Sequence, residues 1–257
     1  MKILYLDCTR GVAGDMVMSS LFDLLDCPQD FIAQMNGLLP GAQISSKKIG
    51  KKDLIGVKMK ILIDREEEIS QDIQEKTDYS GLKSEIRYCL ERGGKNDIAE
   101  LLMSLNINQK IKHNVMETYH LIKTSEAKVH GKEMEYIHGS RLGSLDAMID
   151  ILGICLLIDR LDPDKIISTP INLGSGFVKY KEKVFAVPAP ATKEIIKDLP
   201  AYAGKPEAEL CTPTGAAIIR HFTQEFKTSP PEASTYGIGF GGKNYNEPTY
   251  VKSWLGT

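Results

Sequence analysis

The sequence predicts an α+β protein, with short mixed β-sheets and a helical middle layer at about residues 70–160. Three observations carry this. Near the start, two apolar strand-like runs, Lys2–Asp7 and Gly56–Ile63, flank a glycine turn and a helical stretch. From about residue 70 to 160, apolar residues recur at helical spacing. After Pro163 the texture changes to short β-like runs punctuated by glycine and proline.

Taken in order, Lys2–Asp7 reads as a buried strand ending in a carboxylate. The Gly11–Gly14 turn follows, with Asp15 where a helix N-cap would stand, and Met16, Met18, Leu21, Leu24 and Leu25 give the helix its apolar face. A basic segment, Lys47 to Lys52, leads into the Gly56–Ile63 strand, and the acidic run Asp64–Glu68 reads as a solvated turn. Leu82, Ile86, Cys89 and Leu90 mark a helix closed by Gly93-Gly94. Further helices are expected at Asp97–Leu105, at about 109–129, and from Ser144 to Leu161, ahead of Asp162-Pro163. Strands are then expected at Lys165–Thr169, Lys183–Val187, Thr235–Phe240 and Thr249–Leu255, with helices at Thr192–Leu199 and Thr214–Phe226. No internal repeat or low-complexity linker divides the 257 residues, so 1–257 is read as a single unit with a helical subdomain.

Composition narrows the function classes. With 32 basic and 34 acidic residues the net charge is −2, which gives no field suited to nucleic acid or an anionic membrane. The opening apolar stretch is too short for a signal peptide, and no run approaches the roughly 20 residues of a membrane span. Five scattered cysteines without CxxC spacing favour reduced thiols and a cytoplasmic setting.

Six segments could carry chemistry. In the first, Asp7 to Met16, a strand–glycine loop–helix frame can turn backbone N–H groups toward an anion, with Gly11 and Gly14 in the loop. A tight turn capped by Asp15 is the alternative, and Asp7 with Asp15 could also hold a divalent cation. In the second, His113, Glu117 and His120 share a helical face and form either a chelating set or a solvated face among lysines. The third joins His130, His138, Asp146 and Asp150, two imidazoles and a carboxylate pair that would suit a borderline metal such as Ni²⁺; the alternative is Asp146 as a near-terminal cap or surface charge and His130 bonded to a backbone carbonyl. Asp150 interrupts an apolar run, which predicts partial burial and a need for a partner.

The fourth segment holds Gly174 and Gly176, then Pro188-Ala-Pro-Ala-Thr192 leading into a helix. In the fifth, Thr212 can cap a helix with Pro213 at its first position, while Thr214 and Gly215 leave the helix start open to an anion. A purely structural cap is the alternative. The sixth, Gly237 to Asn244, is a strand-ending glycine loop (Gly239, Gly241) with Lys243 placed to meet a phosphate. Together they suggest a cleft for a phosphorylated or otherwise anionic small ligand. Cys8 and Cys211 remain as candidate nucleophiles, though neither has a histidine nearby in sequence.

The order of these segments resembles the LarC-type nickel-insertion family along nearly the whole chain. The carriers are Leu4–Asp7 with Gly11 and Gly14-Asp-Met16, and Glu126-Ala-Lys-Val-His130-Gly with Gly143, Asp146 and Asp150. Gly174-Ser-Gly176, Pro188–Thr192, Thr212-Pro-Thr-Gly-Ala-Ala217 and Gly237-x-Gly239-x-Gly241 match the second half. The resemblance implies nickel insertion (a CTP-dependent cyclometallation of lyase class) into pyridinium-3,5-bisthiocarboxylic acid mononucleotide, in nickel-pincer cofactor biosynthesis. It implies Ni²⁺ held by His130, His138, Asp146 and Asp150. The anionic ligand would meet Asp7, Gly11, Gly14, Asp15, Gly174, Gly176, Thr212, Thr214, Gly215, Gly239, Gly241 and Lys243. CTP with Mg²⁺ or Mn²⁺ would enter only through a separate domain or partner, since the family's C-terminal nucleotide-binding domain is expected to be absent from 1–257. A homo-oligomer is also compatible.

The chain departs from the family pattern at the metal end. It has no histidine in Ser70–Glu75, it reads His138-Gly-Ser140-Arg141-Leu-Gly143 where the family has His-Phe-His-Glu-Val-Gly, and Glu182-Lys183 replaces a His-Gly. A hydroxyl and a guanidinium thus stand where an imidazole and a carboxylate are expected. These changes sustain an alternative, a non-catalytic paralogue that binds a mononucleotide or regulates an intact LarC-type protein.

Overall fold

A computed structural model describes residues 1–39, 41–63, 66–67, 97–131, 141–180, 183–230, 235–243, 245 and 247–256. The first apolar run becomes strand β1 (Ile3–Asp7), whose middle residues Leu4, Tyr5 and Leu6 are buried. Continuous apolar sequence of this kind suits a strand covered on both faces. Against one edge lies β5 (Lys165–Ser168), parallel, with Ile3 opposite Lys165; against the other lies β12 (Tyr250–Gly256), antiparallel, with Ile3 opposite Gly256.

The sheet continues outward in both directions. β10 (Glu225–Phe226) pairs in parallel with β5, while β11 (Tyr236–Phe240) pairs antiparallel with β12 and in parallel with β3 (Leu54–Ile63). β2 (Ala42–Lys51) forms a long antiparallel hairpin with β3, giving the order β10-β5-β1-β12-β11-β3-β2. The two-residue β4 (Glu66–Glu67) also pairs with β3. Two small ribbons, β6 (Ile171–Asn172) with β9 (Ala201–Tyr202) and β7 (Phe177–Tyr180) with β8 (Lys183–Ala186), complete the mixed α+β architecture.

Seven helices lie among the described residues: α1 (Gly14–Phe22), α2 (Pro28–Leu38), α3 (Asp97–Ser104), α4 (Gln109–His130), α5 (Arg141–Leu161), α6 (Pro190–Ile195) and α7 (Pro213–Phe222). α5 is the central one, with Met148, Ile149, Ile151, Leu152 and Ile154 all at most 1% exposed. The same long apolar run too short for a bilayer is thus a buried core helix, and among the described residues no helix is long and apolar enough to cross a membrane. α4 begins where Asn108 Oδ1 accepts the Ile111 N–H at 2.8 Å and stops at Gly131, whose φ of 60° lies in the left-handed region.

Several sequence-based boundaries move, each for a local reason. The basic segment from Lys47 is the second half of β2 and not a connection, because an edge strand exposes alternate side chains to water and tolerates lysine. Glu66 and Glu67 pair with β3 where a turn was expected. The helix expected to reach Phe226 ends at Phe222: Thr223 is extended, and the Gln224 N–H donates to the Ile166 carbonyl at 3.0 Å, drawing the chain into the sheet as β10. The helix expected over Thr192–Leu199 spans Pro190–Ile195. The helix expected around residues 82–90 lies outside the described residues.

Candidate functional site

The start of α1, the middle of β3, the first half of α5, the start of α7 and the turn after β11 enclose a cleft of about 290 Å³. Eight of the residues singled out from the sequence line it: Gly14, Asp15, Asp146, Asp150, Thr212, Thr214, Gly241 and Lys243. They come from four segments more than 200 residues apart at the extremes.

On the α5 side, Asp146 and Asp150 lie one helical turn apart and both line the cleft. Asp150 is 5% exposed, as its apolar surroundings required. Its carboxylate packs against Gly14, where any Cβ would run into the Asp150 side chain, so the close approach of α1 to α5 depends on that glycine.

Three lysines line the same cleft. Lys58 and Lys60 come from β3 and Lys243 from the turn after β11. Asp15 lies between this turn and α1. Its Oδ1 accepts the Met16 N–H at 2.8 Å and its Oδ2 accepts the Gly242 N–H at 2.9 Å. Burial raises the Asp15 carboxyl above its ordinary range, against the opposing pull of those N–H groups and of Lys58 and Lys243. Lys243 also stands 3.7 Å from the Glu209 carboxylate, and the Tyr245 hydroxyl donates to the Glu209 carbonyl at 3.3 Å.

The expected cap at the start of α7 is present: Thr212 Oγ1 accepts the Gly215 N–H at 3.2 Å, and Pro213 opens the helix. The helix start is not open at Gly215, however. Gly215 is buried against the backbone of Val12 and Ala13, and a side chain there would meet the Val12 carbonyl. Nor is Asp15 the N-cap of α1; extended Ala13 holds that position and Asp15 sits in the first turn.

Other singled-out residues lie away from the cleft lining. Asp7 accepts the Thr9 N–H at 2.9 Å at the end of β1, outside the lining that holds Asp15. Gly11 packs on Leu210, Gly174 forms a bridge to Glu209, Gly176 lies near Glu207, and Gly239 packs on the Met16 backbone. His138 and the His130 side chain lie outside the described residues. Among the described residues, no group of three or more His, Cys, Asp or Glu is arranged to hold a metal ion by itself. His113, Glu117 and His120 are exposed on α4.

Cys8 and Cys211 are fully buried, and burial pushes the Cys8 thiol up to about 12 and the Cys211 thiol well above its ordinary value. Neither thiol is poised as a nucleophile. Sequence reasoning missed Lys58 and Lys60. Their signal was two lysines at i, i+2 in an otherwise apolar strand, alternating with buried Val57 and Met59.

The cleft therefore gathers the carboxylates of Asp15, Asp146, Asp150 and Glu209 and the ammonium groups of Lys58, Lys60 and Lys243. Comparison with known proteins gives the frame a family. The profile of a family described as nickel insertion protein matches residues 4–257. A putative nickel insertion protein of Dictyoglomus thermophilum is 33% identical over 258 residues, covering 100% of this chain and 61% of the relative. Two proteins named pyridinium-3,5-bisthiocarboxylic acid mononucleotide nickel insertion protein are similarly related. That of Staphylococcus saprophyticus is 33% identical over 252 residues (97% of this chain, 59% of the relative). That of Clostridium acetobutylicum is 31% identical over 271 residues (100% of this chain, 64% of the relative). The chain thus spans about three fifths of the length of these relatives. No solved structure matches it. With the family profile matched along nearly its whole length, the chain belongs to the nickel insertion protein family.

Proposed function

We propose that this chain takes part in nickel insertion into pyridinium-3,5-bisthiocarboxylic acid mononucleotide, and that the cleft beside Asp150 receives that precursor. The observation that carries the reading is a cleft lined by both carboxylates and lysines. The precursor combines a cationic pyridinium ring, two thiocarboxylates and a phosphate, so it needs both acidic and basic groups. Asp146 and Asp150 are among the first, and Lys58, Lys60 and Lys243 supply the second.

In this reading nickel is a substrate. Two carboxylates would steer Ni²⁺ toward the ring, and the precursor's sulfurs would complete a coordination set that the described protein groups do not fill alone. Forming the carbon–nickel bond replaces one ring proton by Ni²⁺ without change of oxidation state; the proton leaves to a base. The CTP dependence implied by the family resemblance would come from a separate domain or partner polypeptide, with Mg²⁺ or Mn²⁺.

The test is incubation of the purified chain with Ni²⁺ and precursor, with and without CTP and a CTP-binding partner, followed by mass spectrometry. Appearance of the nickel-bearing product only with the chain present is the expected result. Precursor binding without any nickel transfer in the presence of partner and CTP would instead favour the non-catalytic mononucleotide-binding paralogue. The Ser140-Arg141 departure in sequence supports that second reading.

A further inference from the structure

Insertion of Ni²⁺ at a ring carbon releases a proton, so the cleft needs a group that can accept one. Among the described residues that line it there is no histidine and no thiol. Burial raises the Tyr245 phenol above its ordinary value, and its hydroxyl already donates to the Glu209 carbonyl at 3.3 Å. Thr212 Oγ1 is committed to the Gly215 N–H as a helix cap. An ammonium group has no lone pair to offer. The acceptor is therefore one of four carboxylates: Asp15, Asp146, Asp150 or Glu209.

Their surroundings separate them. Asp146 and Asp150, one turn apart on α5, are the pair that the reading above gives to Ni²⁺. Asp15 is tied into the backbone, with Oδ1 on the Met16 N–H and Oδ2 on the Gly242 N–H. Glu209 differs. Its side chain is 14% exposed, and among the described residues it makes one ion pair, to Lys243 Nζ at 3.7 Å, beyond hydrogen-bond length. Its backbone is held firmly: Glu209 bridges to Gly174, and the next residue donates to the Leu173 carbonyl at 3.1 Å and accepts the Val12 N–H at 2.8 Å. Two residues beyond Val12, Gly14 packs against the Asp150 side chain. The Gly11–Gly14 turn thus joins the Glu209 segment to the α5 carboxylates at one cavity. A carboxylate on a fixed backbone, its oxygens not taken up by short hydrogen bonds, is what a general base requires.

We propose that Glu209 is the general base of nickel insertion, taking the ring proton that Ni²⁺ displaces. The inference rests on the precursor-binding reading and supplies the base which that reading leaves unassigned. In this step the ring C–H bond breaks and its electron pair forms the carbon–nickel bond. The proton passes to a Glu209 carboxylate oxygen and from there to solvent, and nickel stays Ni²⁺ throughout.

Single-turnover nickel transfer by the purified chain, supplied with Ni²⁺, precursor, CTP and the CTP-binding partner, tests the assignment. Product is followed by mass spectrometry, and precursor affinity is measured separately by calorimetry. Glu209→Gln should lower the rate at saturating precursor at least about a hundredfold while changing affinity less than about threefold. Glu209→Asp, which keeps the carboxylate but withdraws it, should retain about a tenth of the rate. Added formate should speed Glu209→Ala at least about fivefold and leave the wild type unchanged, a rescue that a merely structural role does not predict. Circular dichroism checks folding, and Glu209→Ser replaces Glu209→Ala if the latter does not fold. If Glu209→Gln keeps more than about half the rate, loses only precursor affinity, or formate fails to rescue the folded variant, the base is wrong while the precursor reading stands. If the wild type binds precursor without forming product, the base assignment falls and the mononucleotide-binding paralogue remains. A wild type that does neither overturns both.

Discussion

Two helices carry ligand-type side chains at helical spacing and end in opposite surroundings. On α5, Asp146 and Asp150 line a cleft, with Asp150 buried against Gly14. On α4, His113, Glu117 and His120 are exposed, and the His120 ring pairs with Thr124 of its own helix at 3.2 Å. Read as spacing alone, the α4 set is the better chelator. The difference is made by what covers each face: α1, β3 and the start of α7 close over the α5 pair, and among the described residues no such wall stands over the α4 trio. Periodicity picks out a face, and distant chain segments decide whether it becomes a site.

The comparison can be broken most decisively at the level of activity. The double variant Asp146→Ala/Asp150→Ala should lower nickel transfer to the precursor at least about a hundredfold. His113→Ala/Glu117→Ala/His120→Ala should change it less than about twofold, both measured as nickel-bearing product by mass spectrometry. The reverse ranking would move the site to α4.

A second expected effect concerns what holds the α5 wall in place. Gly14→Val should destabilise the fold by about 3 kcal/mol, because its side chain would displace the Asp150 carboxylate. Gly37→Ala on α2, where nothing lies within 4 Å of the new Cβ, should be neutral or stabilising by up to about 1 kcal/mol. Urea unfolding of the two variants measures the contrast. Smaller still, Thr212→Ala at the cleft and Asn108→Ala at the start of α4 should each cost about 1 kcal/mol through loss of a helix cap. Only the Thr212 change should also weaken precursor binding.

The smallest effect is a pH dependence beside the α4 face. His221 of α7 is held below the ordinary histidine value of 6.5 by burial; Glu117 opposes this and His113 reinforces it. Its ring nitrogen pairs with Asn114 Oδ1 at 3.1 Å, and Phe222 packs edge-on at 4.6 Å. Below 6.5 the unfolded chain binds a proton that the folded chain resists. Stability from this group is therefore full above 6.5 and is lost as pH falls through the lowered folded value. His221→Gln should flatten that decline in chemical denaturation measured across the window.

Much of this was legible in the sequence where the cause is local. The apolar run of β1, the Asn108 and Thr212 region and the buried stretch of α5 all follow from neighbours within a few residues. The burial of Asp150 followed from its apolar flanks. Local reasoning misplaced the glycines instead. Gly174, Gly215 and Gly239 read as room for a ligand, yet each admits another stretch of the same chain. A missing Cβ signals close approach without naming what approaches. Lys58 and Lys60 were passed over for the complementary reason. Lysine on a strand ordinarily meets water, and only the assembly of β3 with α1 and the turn after β11 turns these two toward a cavity.

The pairing of β1 with β12 has a consequence for how the chain reaches this state. Ile3 sits opposite Gly256 and Asp7 opposite Lys252 at the middle of the sheet. During synthesis β1 emerges well before β12, its edges unpaired, and one edge must wait for residues made about 250 positions later. Such distant pairing slows folding and leaves a sticky strand exposed in the interim. The interval before β12 is made is thus a stage at which an unpaired β1 edge is open to wrong partners.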